Sequence, residues 1–175
     1  MELLTTRLRL RPMSLSDVAQ AHALATSPGV ARPAGYPTPK KLNATRLRVA
    51  RSVAEWRKRT PSRLSFTILR RDDNAWIGLI NLNWPHAGVG ELGYSLHPRH
   101  WGNGYASEAA RRVVDLAFDT LGAHRVQATC WVRNRRSAAV LRRAGLKKEG
   151  LLRGYLKRGQ VVRDEFMFGL ARRER

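Results

Sequence analysis

The chain has 175 residues, a length typical of one domain, and its 33 lysines and arginines against 13 aspartates and glutamates give a formal net charge of +20. Cys130 is the sole cysteine, which excludes an internal disulfide. No apolar run approaches the roughly 18 residues that a membrane span needs, and the N-terminal residues lack the apolar stretch of a signal peptide. We therefore expect one cytoplasmic domain over residues 1–175, with no membrane partner.

The positive charge predicts attraction to polyanions, such as nucleic acid, acidic surfaces or a phosphate-rich cofactor. Most of the cations are arginines, and they are spread over the whole chain instead of being collected in one tail. That distribution favours an ordinary solvated surface. Nonspecific attraction to RNA or to the ribosome stays open as an alternative.

The first third of the chain predicts a strand followed by two helices. Residues 6–12 alternate leucine with arginine, which is typical of a strand. A helix is expected over 14–25, behind a serine cap. Residues 27–39 contain four prolines and two glycines and therefore predict a loop. Residues 40–59 space their apolar side chains among many bases, which predicts an amphipathic basic helix.

The middle of the chain predicts an antiparallel meander of three strands. Residues 63–71 and 75–84 alternate apolar and polar side chains around an Asp-Asp-Asn turn, and so predict a hairpin. A turn over 85–90 leads to a third strand over 91–97.

The last part of the chain begins with the clearest helix, over 106–121, which has one wide apolar face. A strand over 125–132 follows, and then a short helix that Asn134 can cap and Gly145 can end. Two apolar segments close the chain as a predicted hairpin, over 146–155 and 161–170 with a turn at 157–159. This order of elements predicts a mixed α/β (α+β) sheet with helices on both faces.

The strand-to-helix junction at 97–106 is the most informative segment. The first N–H groups of a helix have no internal partner and lie at the positive end of its dipole, so a pyrophosphate can bind there. Gly102 and Gly104 allow close approach to the backbone and the dihedral angles of a tight turn. A lone glycine-x-glycine pair is more often an ordinary turn. Here the flanking elements and the basic Arg99 favour a phosphate site, and neither the Walker A motif nor the dinucleotide fingerprint is present.

The motif Arg99-x-x-Gly102-x-Gly104 resembles the acyl-CoA-binding motif of the GNAT family of N-acetyltransferases. The surroundings resemble its RimJ/RimL-type branch, which acetylates protein N-termini among other amines. The likeness follows the family's order through four stretches, 6–12, 91–109, 121–126 and 134–145. It implies a GNAT-like, mostly antiparallel central sheet of about seven strands with helices on both faces. Residues 27–60 resemble the family least, and this variable loop and helix would shape the acceptor site.

The resemblance also implies how acetyl-CoA is held, with the pantetheine arm lying between two strands that splay apart. The implied contacts come from the backbone of Ser95, Leu96 and His97 to the arm, from Arg99 and the amides of Trp101, Gly102, Asn103, Gly104, Tyr105 and Ala106 to the pyrophosphate, and from Asn134 and Ser137 to the pantetheine and its thiol. No metal is expected, because the histidines near the motif lack the spacing of a metal site.

Two residues are candidates for proton transfer. Glu91 matches a glutamate that some relatives use as general base, directly or through a water, although a surface or salt-bridged role is an alternative. Ser137 is the candidate acid for the thiolate by resemblance to the branch without a tyrosine there, although it can instead serve the helix start. Asp164 and Glu165 could attract the acceptor ammonium, but a salt bridge within the hairpin is the favoured interpretation.

The acceptor is expected to be a primary amine, attacked in a ternary complex. A peptide or protein N-terminus, of the ribosomal-protein type, is favoured over a small amine or antibiotic because a chain of charge +20 repels polycations at long range. The alternatives of another class are a basic nucleic-acid-associated module and an acyl-CoA sensor without turnover. An edge strand or the terminal hairpin offers a surface on which two copies could form a homodimer.

Overall fold

The structure is a computed structural model that describes residues 1–35, 37–158 and 160–175. The helices are α1 (Val18–Thr26), α2 (Ala31–Ala34), α3 (Leu42–Glu55), α4 (Tyr105–Asp119) and α5 (Arg135–Arg143). The strands are β1 (Leu3–Leu4), β2 (Leu8–Pro12), β3 (Arg63–Arg70), β4 (Trp76–His86), β5 (Val89–Leu96), β6 (Arg125–Trp131), β7 (Lys147–Arg158) and β8 (Val161–Ala171). Among these described residues, no helix is both long and apolar enough to cross a bilayer.

The strands form one mixed sheet in the order β1-β2-β3-β4-β5-β6-β8-β7. Neighbouring strands are antiparallel except for β5 and β6, which run parallel. The expected mixed, mostly antiparallel sheet is thus confirmed. It has eight strands instead of about seven because the two-residue β1 pairs with β2 at the edge.

Helices cover both faces of the sheet, as predicted. On one face, α4 buries its apolar stripe of Ala109, Val113 and Ala117 against the sheet, and α5 packs beside it. On the other face, α1 and α3 contact each other and enclose a smaller apolar cluster around Ala21 and Val49. The sheet therefore separates an α4–α5 layer from an α1–α3 layer.

Two predicted segments of the first third differ in the structure. Residues 27–39 were expected to form a loop, but Ala31–Ala34 makes one helical turn, which Pro33 tolerates because the first turn of a helix does not use its N–H groups. The basic helix expected over 40–59 spans only Leu42–Glu55. The next residue, Trp56, is half-buried and packs its ring edge-on against the buried Phe66.

Two turns also differ from expectation. The turn expected over 85–90 is shorter, since β4 continues to His86 and β5 starts at Val89, with a register shift near Pro85 where a strand tolerates the missing N–H. The predicted terminal hairpin is present as β7 and β8. Its predicted turn at 157–159 includes Gly159, which lies outside the described residues.

Candidate active site

The parallel pairing of β5 and β6 is very short. It consists of the pairs Val89–Arg125, Gly90–Val126 and Glu91–Gln127, and no further pair joins the two strands in the described chain. β5 continues to Leu96 on β4, while β6 continues to Trp131 on β8. The sheet therefore opens beyond Glu91, and groups on its two faces can meet through the opening.

The backbone of β5 presents hydrogen-bonding groups to this opening. The His97 N–H donates to the Ile77 carbonyl oxygen at 2.9 Å, so His97 faces β4. Antiparallel strands alternate residues that face the partner with residues that face away. In this register Ser95 also faces β4, whereas the N–H of Leu96 points into the opening. The Leu96 carbonyl oxygen accepts a hydrogen bond from the Trp101 indole at 2.9 Å.

The loop before α4 exposes a row of main-chain donors. Gly102 and Gly104 have φ values of 83° and 78°, a left-handed conformation that favours glycine. Among the described residues, no acceptor takes the backbone N–H groups from Gly102 to Ser107. These donors lie at the positive end of the α4 dipole, which is the arrangement that binds an anion.

A brace from the turn between β1 and β2 holds this loop, and sequence reasoning missed it. The Arg7 guanidinium pairs with the Glu108 carboxylate at 2.7 Å and donates to the Asn103 carbonyl oxygen at 3.0 Å. Thr5 Oγ1 also donates to Glu108, at 2.6 Å. Burial raises the pKa of Glu108, but the hydrogen bonds from Thr5 and Arg7 outweigh it, so the net shift is downward and Glu108 stays ionised. The contact joins residues 101 positions apart, for which the sequence has no local signal.

The start of α5 lies against both the loop and the opening. Asn134 caps the helix, with its Oδ1 accepting the Ser137 N–H at 3.0 Å. The Arg136 guanidinium stacks over the exposed Trp101 ring at 5.1 Å, which brings a further cation beside the loop. Sequence reasoning did not select Arg136, because only the fold places it next to Trp101.

Ser137 has a partner that sequence reasoning also missed. The Tyr94 Oη lies 2.8 Å from the Ser137 Oγ and 3.2 Å from the Ser137 carbonyl oxygen. Burial raises the pKa of Tyr94 well above its usual value, against the hydrogen bond from Ser137, so the phenol stays protonated. Burial also raises the pKa of the neighbouring Cys130 thiol to about 11. The α4–α5 side of the opening therefore carries neutral hydroxyl and thiol groups.

Glu91 lies on the opposite side, facing α3. Its side chain lines a cavity of about 490 Å³ between α3 and the sheet. No side chain in the described ranges donates a hydrogen bond to its carboxylate. A second cavity of about 390 Å³ shares Arg48, Ser52 and Arg63 with the first and reaches Ser95 on β5, so the two form one groove along the opening.

The polar wall of this groove comes from α3. Its lining residues Arg48, Arg51, Ser52 and Glu55 follow the i, i+3, i+4, i+7 spacing of one helix face. That polar stripe was visible in the sequence as part of a basic helix, but its orientation toward the sheet was not. The variable segment at 27–60 therefore supplies one wall of the groove beside Glu91.

The two acids of the last strand are engaged with residues of the terminal hairpin. Glu165 is buried and its carboxylate pairs with Arg163 at 2.8 Å. The Asp164 Oδ1 accepts the Gly154 N–H at 2.7 Å within the terminal hairpin. Both contacts agree with the favoured expectation of structural roles for this pair. Within the described ranges, no three side chains of the metal-binding types come together.

Two comparisons with known proteins, one with a family model and one with a relative matched over nearly its full length, identify the family of this chain. The model described as an acetyltransferase (GNAT) domain matches residues 7–147. The N-acetyltransferase YoaA of Bacillus subtilis is 30% identical over 171 residues, which cover 96% of this chain and 95% of YoaA. The chain belongs to the GNAT family of acetyltransferases.

Further comparisons agree with membership of the GNAT family. The N-acetyltransferase p20 of Bacillus licheniformis is 37% identical over 112 residues, and the match spans 62% of this chain and 62% of p20. A GNAT-family acetyltransferase structure from Bacillus anthracis has a TM-score of 0.89 at 23% identity, covering 99% of this chain and all of that one. A spermidine N-acetyltransferase from Vibrio cholerae, in complex with CoA and spermine, has a TM-score of 0.84 at 17% identity, covering 97% and 98% of the two chains. At these identities, the two structures show a shared fold.

The GNAT fold brings the predicted residues of this chain around one opening in the sheet. The glycine loop and the start of α5 meet at Trp101, and Ser137 meets β5 at Tyr94. Glu91 lies at the last residue pair before the strands diverge. The predicted acids Asp164 and Glu165 are engaged in the terminal hairpin instead.

Proposed function

We propose that this GNAT enzyme transfers the acetyl group of acetyl-CoA to a primary amine, with a peptide or protein N-terminus as the preferred acceptor, in the manner of the RimJ/RimL-type branch. The observation that carries the proposal is the row of unpaired N–H groups from Gly102 to Ser107 beside an open sheet. A buried or structural turn would satisfy such donors within the protein. An exposed row at a helix start is suited to a pyrophosphate.

Acetyl-CoA fits the residues around the opening. The donors of Gly102 to Ala106 would hold the pyrophosphate, whereas the expected Trp101 N–H already donates to the Pro98 carbonyl oxygen at 3.1 Å. The nearby Arg99 and Arg136 add positive charge. The free Leu96 N–H would bond the pantetheine arm as a missing strand does. Asn134 and Ser137 at the start of α5 would contact the end of the arm. The CoA complex of the Vibrio cholerae relative supports this assignment of the co-substrate.

The acceptor amine would reach the thioester from the α3 side. Glu91 would take the proton that the ammonium must lose, directly or through a water, before the nitrogen attacks the thioester carbon. An N–H of β5 that points into the opening would donate to the carbonyl oxygen as negative charge develops there. The C–N bond then forms and the C–S bond breaks. Ser137, hydrogen bonded to Tyr94, would donate a proton to the departing thiolate.

A peptide N-terminus is favoured over a polyamine by the charge of the groove. Arg48, Arg51 and Arg63 line it, and long-range repulsion from these guanidinium groups opposes a polycation. The spermine complex of the Vibrio cholerae relative motivates the polyamine as the competing acceptor.

The test is a turnover screen that is paired with direct binding. Calorimetry with acetyl-CoA should give a saturable isotherm, and CoA release should depend on an added amine. Peptides with a free N-terminus should be acetylated faster than spermidine, and N-terminally blocked peptides should be inert. Tight acetyl-CoA binding without turnover on any amine would overturn the proposal, as would the absence of binding.

A further inference from the structure

The groove beside Glu91 has an excess of positive charge that the proposed amine acceptor does not explain. Three guanidinium groups line it, from Arg48 and Arg51 on α3 and from Arg63 on β3. The carboxylates that line the same groove are Glu55 on α3 and Glu91 on β5. A site that binds only an ammonium group would need the opposite balance of charge.

Glu55 does not offset this excess, because its charge is used within the protein. Its carboxylate pairs with Lys58 and accepts the backbone N–H and the hydroxyl of Ser62 at 2.7 and 2.9 Å. The hydrogen bonds from Lys58 and Ser62 lower the pKa of Glu55 to about 2, so it stays ionised next to Lys58. Glu91 is therefore the one acid of this groove, within the described residues, that has no cationic partner.

A row of side chains across β3, β4 and β5 fixes the position of Arg63 relative to Glu91. Arg63 lies opposite Asn83 on β4, and Asn83 lies opposite Glu91 on β5. The Arg63 Nε donates to the Asn83 Oδ1 at 2.5 Å, and the Asn83 Nδ2 donates to the Glu91 carbonyl oxygen at 3.4 Å. Asn83 thus holds the Arg63 guanidinium on the groove side of the sheet.

The spacing of this row decides what kind of anion fits. Adjacent strands lie roughly 5 Å apart, so the backbone of Arg63 lies roughly 10 Å from that of Glu91. In a free amino acid, a single Cα separates the α-carboxylate from the amine. The distance between these two groups is too short for one to lie at Glu91 and the other at Arg63. An acidic side chain in an extended peptide, one or two residues after the N-terminus, can span it, because each residue adds about 3.4 Å.

We infer that the acceptor is a peptide with an aspartate or glutamate at its second or third position, whose carboxylate binds the Arg51–Arg63 side of the groove while its N-terminal amine lies at Glu91. Guanidinium groups bind carboxylates through paired, charge-assisted hydrogen bonds, which suits this role. The inference rests on the proposed acetylation of peptide N-termini and names the sequence that the enzyme selects.

The test compares matched hexapeptides that have the same free N-terminal serine and differ only at position two, as Asp, Asn or Lys. In the native enzyme, kcat/KM for the Asp peptide should exceed that for the Asn peptide by about tenfold, and the Lys peptide should be slower still. Free aspartate and glutamate should be poor acceptors, which separates a side-chain carboxylate from an α-carboxylate as the recognised group.

Variants locate the selectivity in the groove. Arg51→Gln and Arg63→Gln should each bring the Asp:Asn ratio of kcat/KM close to 1 without changing the KM for acetyl-CoA. Arg46→Gln is the matched control, because Arg46 is exposed on the same helix and does not line the groove, so this variant should keep the native ratio. Arg63→Glu should reverse the preference toward the Lys peptide.

Two failures can be told apart. If acidic and neutral peptides are acetylated at equal rates, or if the ratio survives in both arginine variants, the acidic specificity is wrong while the acetyltransferase proposal stands. If no peptide or amine of any charge is acetylated, the proposed function itself is wrong.

Discussion

The two sides of the opening are built from different parts of the protein. On the side that we propose binds acetyl-CoA, here called the cofactor side, the donors are main-chain N–H groups between Gly102 and Ser107, and side chains mainly brace them. On the side that we propose binds the acceptor, here called the acceptor side, the groove is lined by side chains from α3, β3, β4 and β5. The surface at Gly102–Ser107 depends on backbone conformation and tolerates many side chains. The shape and charge of the groove, in contrast, change when its lining side chains are substituted. One fold can thus keep its co-substrate while its acceptor changes.

The largest effect is expected for Glu91→Gln, which tests whether the acceptor side functions separately from the cofactor side. We expect kcat to fall by about 100-fold, because the amide cannot take the proton of the acceptor ammonium. The dissociation constant for acetyl-CoA should stay within about twofold, since Glu91 faces the acceptor groove. Glu149→Gln is the control, as this exposed carboxylate on β7 pairs with Arg125 and does not line the acceptor groove. A native kcat, or an unchanged dependence of kcat on pH, would contradict the role of Glu91.

The cofactor side is tested by Gly102→Ala and its matched control Gly122→Ala. Both glycines have positive φ, 83° and 69°, and an added Cβ would meet no atom within 4 Å at either position. Each variant should therefore lose a similar stability, about 1 kcal/mol, which thermal melts can compare. Only Gly102→Ala should weaken acetyl-CoA binding, by about tenfold in calorimetry. Equal affinities for the two variants would show that the loop does not hold the pyrophosphate.

A smaller effect is expected from the hydroxyl pair of Tyr94 and Ser137, which we propose lies beside the CoA thiol. Tyr94→Phe and Ser137→Ala should each lower kcat by about fivefold, and the double variant should cost little more, because both remove one hydrogen-bonded unit. The raised pKa of Tyr94 keeps its phenol protonated, so the loss should be constant between pH 6 and 9. Fully multiplicative losses in rapid-quench kinetics would show that the two hydroxyl groups act separately.

The smallest effect concerns Cys130, a buried residue of β6. Cys130→Ala should change kcat and both KM values by less than twofold. Because burial raises its pKa to about 11, roughly one thiol in a thousand is ionised at pH 8. Alkylation by iodoacetamide should therefore be at least about 100-fold slower than for a free thiol, and faster as the pH rises toward 11. Rapid alkylation at pH 8 would contradict this burial.

The features that sequence alone predicted are local ones. The apolar stripe of α4 and the glycines before it lie within one short segment, so periodicity and turn chemistry were enough to place the junction. The order of strands through the meander followed from alternation of side chains. The resemblance to the family added the opening between β5 and β6, which the structure contains.

The features that sequence did not reveal depend on contacts between distant segments. Arg7 pairs with Glu108, and Tyr94 is hydrogen bonded to Ser137, because of strand register and packing that no local sequence pattern encodes. The short helix α2 formed inside a proline-rich run because the first turn of a helix tolerates proline. The direction in which Arg51 points was likewise decided by how α3 packs on the sheet.

The brace from Arg7 to Glu108 has a consequence for how the enzyme is made. The turn that carries Arg7 is synthesised 101 residues before Glu108, its partner on α4. Contacts of such large sequence separation close late in folding, since the intervening chain must first be ordered. The loop before α4 is therefore braced only after Glu108 has been synthesised, and a nascent chain that ends before α4 cannot yet hold this loop in place.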